Sequence, residues 1–147
     1  MSDQGVEILL VEDNPDDLEM TLRALRRAKL ANHIAVARDG VEALDFVFGQ
    51  GAYAGRPVDQ APRFILLDLK LPRLDGLEVL RRVKADPRSA LIPVVVLTSS
   101  KEQPDIRECY RLGVNSYIVK PVDFEKFVGC VVEMGMYWLL LNHPPHV

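Results

Sequence analysis

Short apolar runs, each closed by acids, hydroxyls, lysine or proline, alternate along this chain with stretches of helical spacing. Glu7-Ile8-Leu9-Leu10-Val11, Phe64-Ile65-Leu66-Leu67 and Pro93-Val94-Val95-Val96-Leu97-Thr98 are too short for ordinary helices. They read as strands buried on both faces. Ile34-Ala35-Val36 reads as a weaker strand and Ser116-Tyr117-Ile118-Val119 as a fifth. Between them, Leu18, Leu22 and Leu25 keep helical spacing. Asn14 stands there as N-cap, Pro15 at the first helical position, and Asp16 and Asp17 in the first turn, where acids suit the helix dipole. A second helix covers 40–48 with Val41, Leu44 and Phe48 on one side. A third turns Leu77, Leu80 and Val83 inward until Asp86-Pro87 stops it. A fourth runs from about Pro104 to Leu112 before Gly113, and the last starts at Asp123 and runs towards Leu141.

Five strand–helix alternations without internal repeats predict an α/β fold, a doubly wound parallel sheet with helices on both faces. The expected flavodoxin-like strand order is 2-1-3-4-5, with a ligand crevice between strands 1 and 3 at their C-terminal ends. Residues 49–63 are rich in Gly, Ala and Pro, lack periodicity, and read as a tolerated surface insertion. With 147 residues, the expectation is a single domain over 1–147, its core about 6–135, with 136–147 as a C-terminal helix extension and tail. A net charge of −3 argues against a general nucleic-acid footprint. Cys109 and Cys130 lack CxxC spacing, so they suggest neither a disulfide framework nor a zinc site and read as small core hydrophobes. No signal-peptide pattern or membrane-length apolar run is seen, which makes the cytoplasm the expected location.

Chemistry gathers at the strand ends. Glu12 and Asp13 close strand 1 and Asp68 closes strand 3. Three acids at one crevice repel one another unless a cation neutralises them, and hard oxygen ligands suit Mg²⁺. Strand 4 ends in Thr98, a hydroxyl donor, and strand 5 in Lys120, a point charge suited to a phosphate oxygen. A carboxylate nucleophile flanked by a metal and a lysine is the arrangement that forms an aspartyl phosphate, with Asp68 as acceptor. Taken singly, each residue has a plainer explanation: helix-dipole acids, loop-satisfying Asp68, capping Thr98, solvated Lys120. Their order favours the shared site, since each closes a separate predicted strand.

Leu10-Val11-Glu12-Asp13-Asn14, Leu67-Asp68-Leu69-Lys70-Leu71-Pro72 with Asp75-Gly76, Val96-Leu97-Thr98-Ser99-Ser100, Gly113-Val114-Asn115-Ser116-Tyr117 and Val119-Lys120-Pro121 together closely resemble the receiver domain of two-component response regulators. The resemblance covers roughly residues 6–135. It implies phosphorylation of Asp68 by a histidine kinase or phosphotransfer protein. It implies Mg²⁺ held by Asp13, Asp68 and the carbonyl of Lys70, with Glu12 helping directly or through water. It also implies a switch in which Thr98 and Tyr117 move and the helix 4–strand 5–helix 5 surface changes, and a cis Lys120-Pro121 peptide. Glu12 stands where the family more often has aspartate. No enzyme activity beyond Mg²⁺-dependent self-phosphorylation and slow self-dephosphorylation is implied. The competing reading is a phosphorylation-independent docking pseudo-receiver.

Nothing resembling an output domain follows Lys120-Pro121, so the chain looks like a stand-alone receiver. In the last helix Phe124, Phe127, Val128 and Val131 form one apolar stripe. Val132, Met136, Leu139 and Leu140 form a second, with Tyr137 and Trp138 filling in. One domain face cannot cover both stripes, so a homodimer through this helix is expected. His143 and His146 read as a frayed tail. The tail and the 49–63 insertion resemble the small regulators paired with bacterial phytochrome kinases, which makes such a kinase a candidate partner. No direct nucleic-acid or membrane partner is expected.

Overall fold

The computed structural model describes residues 8–28, 33–56, 61–120 and 123–135. Five parallel strands, β1 (Ile8–Val11), β2 (Ile34–Ala37), β3 (Phe64–Leu67), β4 (Val94–Thr98) and β5 (Ser116–Val119), lie in the order β2-β1-β3-β4-β5. The connecting helices are α1 (Pro15–Ala28), α2 (Gly40–Phe48), α3 (Gly76–Ala85), α4 (Gln103–Arg111) and α5 (Phe124–Gly135). This is the flavodoxin-like architecture expected from the strand–helix alternation.

Strand periodicity divides the core in two, because successive side chains point to opposite faces. Ile8, Leu10, Phe64, Leu66, Val95 and Leu97 meet Leu18, Ala24 and Leu25 of α1 and Phe127 of α5. Leu9, Val11, Ile65, Leu67, Val94 and Val96 meet α2 and α3 through Ala43, Val47, Val79 and Leu80. The edge strands β2 and β5 are less buried than the three central ones, as their places at the ends of the sheet dictate. Cys109 is fully buried as expected, whereas Cys130 is half-buried on α5.

The helix starts follow their caps. Asn14 Oδ1 accepts from the Asp17 N–H at 3.0 Å, and Asp123 Oδ2 accepts from the Lys126 N–H at 3.1 Å. Asp39 and Asp75 cap α2 and α3 in the same way. On α5, Phe127 is buried and Phe124 and Val128 pack beside it on the α1 side. Val132 is half-buried. Met136, Tyr137, Trp138, Leu139, Leu140, His143, His146 and the Lys120-Pro121 peptide expectation lie outside the described residues.

The α2–β3 connection is more ordered than a slack insertion. Gly49 ends α2 with φ 63°, a left-handed conformation that glycine adopts without a Cβ penalty. A single 3₁₀ turn, Gly51–Tyr53, then folds back on the helix. The Tyr53 hydroxyl donates to Glu42 Oε2 at 2.9 Å, and its ring meets Phe46 edge-on at 5.1 Å. Arg56 lies 3.9 Å over Phe46 and donates to its carbonyl. Aperiodic contacts of this kind leave no hydrophobic pattern, so residues 49–56 read from sequence as irregular.

The β3–α3 loop is held by close backbone approach on two sides. A Cβ at Gly40 would lie 2.1 Å from the Leu74 carbonyl oxygen. One at Gly76 would lie 2.3 Å from the Asp68 carbonyl oxygen and 2.6 Å from Leu69 Cα. Gly76→Ala is therefore expected to destabilise the protein by roughly 2–4 kcal/mol in urea unfolding, since backbone must move to admit the methyl group. Gly129→Ala, on an exposed turn of α5 with open space around it, serves as the control and should stabilise by about 1 kcal/mol or less.

Candidate functional site

Backbone pairing carries the sheet register one residue past the strands and so delivers side chains to its C-terminal edge. The Glu12 N–H donates to the Ala37 carbonyl at 3.0 Å, the Asp68 N–H to Val11 at 3.1 Å and the Lys120 N–H to Thr98 at 2.8 Å. Glu12 and Asp68 thus leave adjacent strands at one level, and Lys120 leaves β5 two residues further along, so that its long side chain reaches back to them. Asp13 follows on the exposed rim. Carboxylate oxygens of Glu12, Asp13 and Asp68 lie within 4.8 Å of one another. Glu12 and Asp68 are 2% and 6% exposed, so water screens little of their repulsion.

Lys120 answers that repulsion. Its Nζ lies 3.0 Å from Glu12 Oε1, 3.3 Å from Asp68 Oδ2 and 2.8 Å from Asp17 Oδ2. Burial alone favours the neutral amine. The hydrogen bonds that the ammonium donates to Asp17 and Glu12 and the charges of Asp68 and Glu12 outweigh it and raise the Lys120 pKa above that of a free lysine. Glu12 is pushed up to about 7, first by burial and then by the charge of Asp68, against the opposing pull of Lys120. Its second oxygen, Oε2, accepts from the Asn14 N–H at 3.2 Å.

The other predicted residues take less direct places. Thr98 is fully buried at the end of β4, and its hydroxyl lies 3.5 Å from the Ser100 N–H. The half-buried Tyr117 donates its hydroxyl to the Ser100 carbonyl at 3.0 Å, which ties β5 to the β4–α4 loop. Ser100 in turn donates to Asp105 Oδ2 at 2.6 Å. Lys70 turns an exposed side chain outward, while its N–H donates to Asp68 Oδ1 at 3.2 Å and orients that carboxylate. A groove of about 380 Å³ opens beside the cluster, with Asp13, Lys70, Pro72 and Asp105 on its walls. A larger one of about 550 Å³ lies between α2 and α3 and contains none of these residues.

Asp17 is the site residue that sequence reasoning missed. The dipole of α1 is a sufficient local reason for a first-turn acid, and its partner is 103 positions away. One signal was available: side chains in a helix lean towards its N-terminus, and Asp17 is three residues past the cap, so its carboxylate leans back to the strand end.

The donor set is all oxygen, clustered and open to the groove on one side. It therefore fits a hard divalent cation better than a soft or caged metal. The Glu12 pKa also gives a stability signature in the absence of metal. Glu12 binds a proton in the folded protein up to about pH 7, whereas in the unfolded chain it releases it near 4.5. The folded state holds the extra proton between these values, so stability should fall as pH rises through that window, by about 3 kcal/mol at most. Urea unfolding in chelator at pH 5 and pH 8 measures it, and Glu12→Gln should flatten the difference.

The response regulator receiver domain family profile matches residues 8–131. The chain is 44% identical over 139 residues to the probable methanogenesis regulatory protein FilR2 of Methanothrix harundinacea, covering 94% of this chain and 86% of that protein. It is 38% identical over 132 residues to response regulator Rcp1 of Synechocystis, covering 90% and 88%. The Mn²⁺-bound structure of Rcp1 superposes with a TM-score of 0.82 at 37% identity, over 97% of this chain and 99% of that one. The phosphorylated cyanobacterial phytochrome response regulator RcpA gives a TM-score of 0.84 at 37% identity, again over 97% and 99%. No helix among the described residues is long and apolar enough to cross a membrane.

Proposed function

Since this chain belongs to the response regulator receiver domain family, we propose that it is a phosphorylation-operated signalling switch whose phosphoryl acceptor is Asp68. The observation that carries this reading is the setting of Asp68. It stands at the end of the central strand β3, inside the acidic cluster and 3.3 Å from the Lys120 ammonium. Its orientation is held by the Lys70 N–H.

One oxygen of Asp68 attacks the phosphorus of a phosphohistidine. A phosphorus–oxygen bond forms as the phosphorus–nitrogen bond breaks, and the electron pair stays on the imidazole nitrogen, which takes a proton from solvent. Lys120 offsets the charge on the phosphoryl oxygens, and the Thr98 hydroxyl donates to one of them. Glu12, Asp13, Asp68 and the Lys70 carbonyl would hold Mg²⁺, which would screen Asp68 from the incoming anion. The Mn²⁺ of the Rcp1 structure and the phosphorylated state of RcpA belong to those proteins and support the same assignments here.

Phosphorylation adds nearly two negative charges at one buried point. Drawing Thr98 towards them disturbs the Ser100 backbone that Tyr117 holds. The population then shifts in the β4–α4 loop and on the α4–β5–α5 surface. The donor is a histidine kinase or phosphotransfer protein, and the likeness to RcpA favours a phytochrome-type kinase.

The test is incubation with acetyl phosphate and Mg²⁺, read by intact mass. The expected outcome is a gain of one phosphoryl group, absent in Asp68→Asn and in chelator, and slowed roughly a hundredfold in Lys120→Ala. A folded wild-type protein that gains nothing would overturn the switch in favour of a phosphorylation-independent docking module.

A further inference from the structure

The ammonium of Lys120 has three N–H donors, and all three point at carboxylates: Asp17 at 2.8 Å, Glu12 at 3.0 Å and Asp68 at 3.3 Å. With only 9% of its side chain exposed, Lys120 has little water to draw on. It can therefore reach a phosphoryl oxygen only by giving up one partner. Glu12 and Asp68 belong to the acidic cluster, but Asp17 does not. Among the described residues, Lys120 is the site group that Asp17 touches.

The local fold explains why Asp17 is available for this. In a capping box the acid three residues past the N-cap accepts from the N-cap N–H. Here the Asn14 N–H goes to Glu12 Oε2 instead, while Asn14 Oδ1 takes the Asp17 N–H. The backbone of Asp17 is thus fixed and its carboxylate is left to Lys120. The side chain of Asp17 is also 36% exposed, against 2% for Glu12. On release it returns to water, whereas a buried carboxylate would be left uncompensated. Of the three partners, Asp17 is the one Lys120 can give up most easily.

We propose that Asp17 is a positioning residue that holds Lys120 in the unphosphorylated protein and must release it before Lys120 binds the phosphoryl group, so that it slows phosphorylation of Asp68. The inference rests on the switch reading above. With acetyl phosphate the reaction forms the bond between Asp68 and phosphorus as the phosphorus–oxygen bond to acetate breaks, and acetate leaves with the electron pair.

The experiment measures the first-order rate of phosphorylation by acetyl phosphate at saturating Mg²⁺, and the Mg²⁺ Kd by calorimetry, in the full chain. The variants are Asp17→Asn, Asp17→Glu and Asp16→Asn, the last neutralising an exposed neighbour on the same turn as a control for net charge. The expected result is a rate roughly three to ten times faster in Asp17→Asn, with Mg²⁺ Kd changed less than twofold and with Asp17→Glu and Asp16→Asn near wild type. An unchanged or slower Asp17→Asn would overturn the inference. So would an equal acceleration in Asp16→Asn, or a Kd shift that accounts for the rate. If wild type gains no phosphoryl group at all, the switch reading itself fails, a result distinct from any of these.

Discussion

Carboxylates that repel one another at the edge of an otherwise apolar sheet set the terms for the rest of this structure. Glu12, Asp13 and Asp68 are brought within 4.8 Å by strand register, and two of them are almost wholly buried. A buried charge without a partner costs several kcal/mol, so the arrangement stands only because one cation answers it. Lys120 is that cation, and its backbone is anchored to Thr98 by the β4–β5 pairing. Removing charge from the acids or the lysine alters more than one contact, because each acid sees the others through the same ammonium. Burial first, and then the charge of Asp68, raises the pKa of Glu12 despite the opposing pull of Lys120.

That electrostatic strain needs a rigid support, and the backbone around Asp68 supplies it. The chain after Asp68 is pressed against the start of α3 at Gly76 and, further on, against the start of α2 at Gly40. Arg73, between them, has a φ of 66°, unusual for a residue with a side chain, and pairs with Asp39 at 3.3 Å. The loop next to the chemistry is thus wedged between two helix starts.

Much of this was legible in the sequence because it is written in local patterns. Runs such as Phe64–Leu67 state burial on both faces, and acids, hydroxyl and lysine at successive strand ends state a shared rim. Asn14 and Asp123 announce helix starts through their side chains. The start of α4 is less distinct, since Glu102 makes no side-chain cap bond and Pro104 is the stronger signal. Two features were hidden for physical reasons. Asp17 already satisfies a local role in the helix dipole, so nothing in its neighbourhood asks for Lys120. The fold of Gly51–Tyr53 onto α2 depends on single contacts of Tyr53 and Arg56, which have no period to detect.

The alternation of β3 between two cores also limits how such a chain can change length. Phe64 and Leu66 face α1 and α5, while Ile65 and Leu67 face α2 and α3. Deleting one residue within β3 would exchange the faces of the residues before it or pull Asp68 off the rim. In chain order the α2–β3 connection precedes Phe64, at the end of the strand away from Asp68, and its Tyr53 and Arg56 are fastened to α2. Lineages could therefore lengthen, shorten or redecorate this connection while Asp68 stays in place, making it a natural site for divergence.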